Sequence, residues 1–256
     1  MILLLLGITA AWDISFPGAN DGFFDARYFF NPDENHLVWA LIEDDVTMVR
    51  YGPATLGIGL SVETFMGKSD SHGDTAFNVY GGHWNIRGTL GVDYRDLLFT
   101  LFTDHECFHN IDMADTCGQY MNNIKLGVEN NSEPVMEDHP VFLPGGYVPE
   151  YFLSAGVYRP NNPSFQKGHI FDWSLHANID YPLLSAGSML YGAVIKSDFY
   201  FHLDGGESSR HYGEVYALHR TEHGDMVAFF RHHIHDTQPI RAMEGETCFG
   251  IRFHWN

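Results

Sequence analysis

Between Phe171 and Tyr181 the chain reads FDWSLHANIDY, with Phe171, Trp173, Leu175, Ala177, Ile179 and Tyr181 on one register and Asp172, Ser174, His176, Asn178 and Asp180 on the other. A repeat of two is the period of a β-strand, whose successive side chains point to opposite faces. The same alternation runs from Tyr191 to Leu203, from Leu56 to Glu63, and through Tyr120, Ile124, Leu126 and Val128. Strands of soluble sandwiches are usually about 5–6 residues long. Several runs here last about 9–13, the length a tilted strand needs to cross a bilayer.

Further strands are expected at 37–42, 46–51, 76–87, 89–94, 98–109, 151–159, 210–220, 226–235 and 247–255. Turn-forming residues separate most of them, among them Glu43-Asp44-Asp45 and Asp204-Gly205-Gly206. The last run carries Thr247, Phe249, Ile251, Phe253 and Trp255 on one face, a pattern similar to the C-terminal strand of bacterial outer-membrane barrels. The expected fold is all-β, a single antiparallel transmembrane-type barrel of about twelve strands (10–12). In lipid every backbone amide needs a partner, and a closed sheet supplies one. A soluble barrel or sandwich would alternate equally well, so the pattern does not say which face is inside.

Residues 1–11, MILLLLGITAA, read as an incomplete secretory signal, with an apolar run and small residues but no positive start. Residues 12–256 then form the barrel, interrupted by a Pro- and acid-rich loop at 130–150. Only 14 Lys and Arg stand against 33 Asp and Glu, a formal charge of −19. That balance excludes nucleic acid as a partner, because phosphate binding needs a basic face. The three cysteines, Cys107, Cys117 and Cys248, have no metal-ribbon spacing. A Cys107–Cys117 disulfide is open in an oxidising compartment.

The stretch TDHECFHNID contains His105-Glu106-Cys107-Phe108-His109, which satisfies the H-E-x-x-H pattern of helical zinc sites. On a helix the two histidines would share a metal and Glu106 would activate water. A longer zinc-protease signature would want glycine where Asp112 stands, although Asp115 could ligate. On a strand His105, Cys107 and His109 share one face and Glu106 leaves it. His105, His109 and Asp112 then form a candidate polar or acid/base cluster at a strand end.

With that spacing the chain resembles a family of uncharacterised bacterial outer-membrane β-barrels that carries a strand-end pattern like H-x-S-S-H-L-G-D-E. His105, His109 and Asp112 keep their places, while Cys107 and Phe108 stand for the two serines and Ile111 for the glycine. The FDARYFFNP stretch and the C-terminal MVAFFRHHIHDTQPIRAMEGETCFGIRFHW resemble other parts of the family. The resemblance implies a barrel in the outer membrane and brings no assigned reaction. Outer-membrane lipases use a Ser–His pair on the lipid-facing surface; with both serines absent, such a mechanism would have to recruit Cys107.

A second histidine group, Arg231-His232-His233-Ile234-His235-Asp236, puts Arg231, His233 and His235 on one strand face. No cofactor is expected beyond a divalent metal, which His105, His109 and Asp115, or His233 and His235, could ligate. The expected function is an outer-membrane envelope role, either lumenal passage or a lipid-associated site near His105, His109 and Asp112. The alternatives are an outer-membrane hydrolase of lipid or lipid A, and a soluble zinc metalloprotein using HECFH. The expected partners are the lipid bilayer, lipopolysaccharide and the outer-membrane barrel assembly machinery.

Overall fold

A strand with one apolar and one polar face can meet lipid on one side and a polar interior on the other, provided the sheet closes and leaves no edge. The computed structural model, which describes residues 14–30, 37–68, 77–110, 119–130, 140–143, 149–159, 171–239 and 242–255, adopts this arrangement. Twelve antiparallel strands form a closed barrel. They are β1 (Ala19–Phe29), β2 (Val38–Tyr51), β3 (Ala54–Lys68), β4 (Phe77–Tyr94), β5 (Leu97–Asn110) and β6 (Gln119–Asn130). The second half comprises β7 (Glu150–Arg159), β8 (Phe171–Ala186), β9 (Met189–His202), β10 (Glu207–Thr221), β11 (Gly224–Asp236) and β12 (Thr247–Trp255). Each strand pairs with its sequence neighbours, and β12 closes on β1 from Cys248↔Phe29 to Trp255↔Gly22.

Four tight turns, at residues 52–53, 95–96, 187–188 and 222–223, lie at the barrel end that also holds the chain ends of β1 and β12. Gly52 and Gly187 open two of them with φ of 57° and 59°, which matches a two-residue hairpin to strand twist. Short turns beside the termini mark the periplasmic end of such barrels and longer loops the outer end. The connection from β6 to β7 also lies at the turn end. Val141–Phe142 within it pairs with Leu184 and Ser185, beyond the reach of β7 along β8.

Two expected boundaries do not exist. Glu43-Asp44-Asp45 is no turn but the middle of β2, because Glu43 and Asp45 face Arg87 across the lumenal wall at 3.2 and 3.6 Å. Residues 76–94 likewise form one strand from Phe77 onward. The expected face of β8 also breaks at its start. A register shift between Phe171 and Trp173 turns Phe171 into the interior, where it is fully buried, and leaves Trp173 outside, stacked on Phe201 at 3.6 Å.

The outer surface is apolar. Ile58, Leu60, Ile86, Leu126, Val157, Ile195, Val215 and Ile251 are all exposed, while the residues beside them in sequence point inward. An apolar band of this extent marks a membrane surface. From Trp84 to Tyr94 the outer face of β4 rises roughly 33 Å along the strand, or about 25 Å along the membrane normal at a ~40° tilt. Exposed aromatics bound the band, with Trp84, Trp173 and Tyr28 toward the loop end and Tyr51, Tyr94 and Tyr191 toward the turn end.

The interior is polar and densely paired. Asp25, Arg27, Asp104, Asn123, Asp198, Glu214, Arg231 and Asp236 are buried there. Aromatic side chains fill the gaps that glycines leave in neighbouring strands, with Phe229 lying on Gly250 and the Tyr216 ring on Gly192. Met243, from the β11–β12 connection, joins an apolar cluster with Phe29, Trp39, Phe65, Phe229 and Cys248.

Candidate functional site on the outer face

β5 carries the HECFH motif to the loop end of the barrel as a strand, so the helix required by the zinc reading does not form. Alternation puts His105, Cys107 and His109 on the outer face and Asp104 and Glu106 in the lumen. The metal-activated base of the zinc reading is therefore on the wrong side of the wall. Cross-strand register sets His105 opposite Asn122 of β6 and Ile86 of β4, and Cys107 between Tyr120 and Trp84.

These contacts organise the three side chains. His105 Nδ1 lies 2.7 Å from Asn122 Oδ1 and donates to it. That bond fixes the ring and leaves Nε2 as its free base position. The Cys107 thiol hydrogen-bonds with His109 Nε2. Tyr120 packs between them, its ring stacked on His105 at 6.2 Å and edge-on to His109 at 5.8 Å, and Trp84 meets His109 edge-on at 5.0 Å. Cys107 is buried under this aromatic cover and is a free thiol. Asp112, Asp115 and Cys117 lie outside the described residues.

Behind the wall the same strands are fastened by charge. Lys125 sits 3.3 Å from Asp104 and 3.6 Å from Glu106, Asn123 donates to Glu106 at 2.8 Å, and Arg87 binds Asp104 at 3.1 Å. His83 bridges Glu63 at 3.0 Å and Glu106 at 3.6 Å, its ring stacked on Phe108 at 3.8 Å. The dipeptide Asn122-Asn123 thus holds His105 on the membrane side and Glu106 on the lumenal side.

His233 and His235 do not share a face. A bulge between His211 and Tyr212 leaves Ile234 as the extra residue on β11, so the alternation slips by one. His233 is buried in the lumen, while His235 lies outside with His211, their rings stacked at 6.0 Å. Among the described residues, no three His, Cys, Asp or Glu side chains are grouped to hold a metal ion.

Asn122 and Tyr120 escaped sequence reasoning because their partnership is set by strand register. One signal was present: Asn122 is the polar interruption in the outer face Tyr120, Ile124, Leu126, Val128.

No family model matches the chain, and no curated protein matches it. Solved outer-membrane barrels do. The outer membrane phospholipase dimer of Salmonella typhi with bound calcium superposes with a TM-score of 0.53 at 8% identity, covering 94% of this chain and 92% of that one. An active-site mutant of Escherichia coli outer membrane phospholipase A gives 0.51 at 8% identity, covering 99% and 95%. At such identity the likeness shows the fold, that of an outer-membrane β-barrel.

Proposed function

We propose that this barrel is an acyl hydrolase of the outer-leaflet lipids, acting through Cys107 on its membrane-facing surface. The observation that carries the reading is the joint position of Cys107, His109, His105 and Asn122. A thiol bonded to an imidazole, with a second imidazole oriented by an amide, stands on the outer wall beside Trp84 and Tyr120. Aromatic girdles sit at headgroup depth, where the ester linkages of membrane lipids lie. The site faces the bilayer beneath its cover of Trp84 and Tyr120, so a lipid approaches it without leaving the membrane.

The chemistry follows from the contacts. His109 Nε2 takes the thiol proton, and the thiolate attacks the ester carbonyl. The carbon–oxygen bond breaks, and the departing alkoxide recovers the proton from the His109 imidazolium. Water, deprotonated by the same imidazole, then cleaves the thioester and restores the thiol. His105, held by Asn122 on the same face as Cys107, keeps its Nε2 free and can share the proton transfers. The Tyr120 hydroxyl, which also hydrogen-bonds to the thiol, is the nearest donor for the developing oxyanion.

Two further points support an outer-face site over lumenal passage. Ion pairs between neighbouring strands, among them Lys125–Asp104, Arg210–Asp236 and Arg252–Asp25, tie up charged groups of the interior. The phospholipases with this fold include an active-site mutant in which an asparagine is replaced, and here Asn122 orients a histidine. The phospholipid or lipid A moiety of the outer leaflet is the proposed substrate class. Lipopolysaccharide is the proposed neighbour, and the barrel assembly machinery the route of insertion. Reconstitution into vesicles of phosphatidylethanolamine, with and without lipopolysaccharide, tests the reading by fatty-acid release. Wild-type protein should release fatty acid and Cys107→Ala should not. Equal release by both, or release by neither, rejects it.

A further inference from the structure

One wall of the larger lumenal cavity, whose lining is otherwise rich in carboxylates, gathers three arginines around one aromatic ring. Arg27, Arg231 and Arg252 surround the Phe229 ring, their guanidinium carbons 5.8, 5.3 and 4.7 Å from its centre. Two carboxylates serve all three. Asp25 binds Arg27 at 2.8 Å and Arg252 at 3.1 Å, and Glu214 binds Arg231 at 2.9 Å and Arg252 at 3.4 Å. Among the described residues no third carboxylate is within ion-pair distance of these guanidiniums. Asp236 is taken up by Arg210 and Glu63 by His83. Within ion-pair distance three cations thus share two anions, while Glu63 and Asp180 of the same cavity stand farther off.

Two orphan donors line the same cavity. Trp39 is 3% exposed and His233 2%, and neither Trp39 Nε1 nor either ring nitrogen of His233 has a hydrogen-bond partner. Arg27 lies flat on the Trp39 ring at 3.2 Å, its Nε and Nη2 committed to Asp25 and its Nη1 left over. Arg231 likewise directs Nε and Nη2 to Glu214. An indole N–H can only donate, and a neutral imidazole must donate once, so these groups call for an acceptor.

From this convergence we infer that the lumen holds a binding site for a small oxyanion, a carboxylate or phosphate group, set among Arg27, Arg231, Trp39 and His233. An anion there takes up the unused edge of Arg27 and satisfies both orphan donors. Guanidinium edges favour a group with two oxygens over a spherical halide. The cavity, about 910 Å³, accommodates an anion carried on a small organic molecule as readily as a free one.

The experiment uses the full barrel in detergent, titrated with inorganic phosphate and separately with acetate, against sodium chloride at matched ionic strength. The denaturation midpoint is the readout, since a ligand bound only by the folded state raises it saturably. The expected result is a saturable rise with phosphate, acetate or both, and none with chloride; the stronger of the two names the ligand class. Trp39→Phe and His233→Phe, which remove N–H donors and keep a ring in place, should each weaken binding about tenfold or more, the worth of one hydrogen bond to a charged group. A response to the oxyanions no larger than that to chloride overturns the inference. So does saturable binding that both variants leave unchanged.

Discussion

Replacing Ile195 by Arg separates a membrane barrel from a soluble one. Ile195 stands at the centre of the 14-residue strand β9, is 60% exposed and points outward, beside Lys196, which faces the lumen. Full burial of an isoleucine side chain contributes about 1.5–3 kcal/mol, and a 60% share of that against lipid is about 1–2 kcal/mol. An arginine on the lipid face at the midplane costs about 2–4 kcal/mol more. The expected loss is therefore about 3–6 kcal/mol, read from equilibrium denaturant unfolding of the protein in lipid vesicles. On a water-facing surface the same change stays within about 0.5 kcal/mol. A loss that small would refute the assignment of the outer face to lipid.

Other expectations bear on the interior and the outer site. Glu214→Gln removes the ion-pair partner of Arg231 and one of the two of Arg252, and should destabilise the barrel by about 3–5 kcal/mol in the same unfolding assay. Gly250→Ala puts a Cβ into the Phe229 ring and should cost about 1–3 kcal/mol, which a second change of Phe229 to Leu should partly relieve. Asn122→Ala frees the His105 ring and should lower the rate of fatty-acid release between about 10- and 100-fold with little change in KM, part of what a positioned acid–base group contributes.

The fold was legible because its alternation is long and regular. FDWSLHANIDY and the run from Tyr191 to Leu203 could be little else than strands, and their length favoured a membrane. Where the pattern misled, a tertiary partner had overridden a local signal. Glu43-Asp44-Asp45 looks like a turn because acidic residues favour turns, yet Arg87 on another strand makes Glu43 and Asp45 good lumenal residues. The bulges at Phe171 and Ile234 shifted faces by one residue, which alternation cannot foresee. The outer site was half visible: the strand reading already set His105, Cys107 and His109 on one face apart from Glu106. Asn122 stayed hidden because it lies on another strand, and only the register brings it to His105. Which face met lipid was not in the sequence at all, since inversion leaves the alternation unchanged.

The most direct test of a lipid-facing thiol site is mass spectrometry of the Cys107 peptide after the reconstituted protein has met its lipid. A nucleophilic Cys107 must pass through a thioester, so rapid quenching should find the peptide heavier by one fatty acyl group, and hydroxylamine should remove it. Asn122→Ala should lower the acylated fraction. Fatty-acid release with Cys107 unmodified at every time point, or an unmodified peptide with no release at all, would contradict a catalytic thiol on the outer wall.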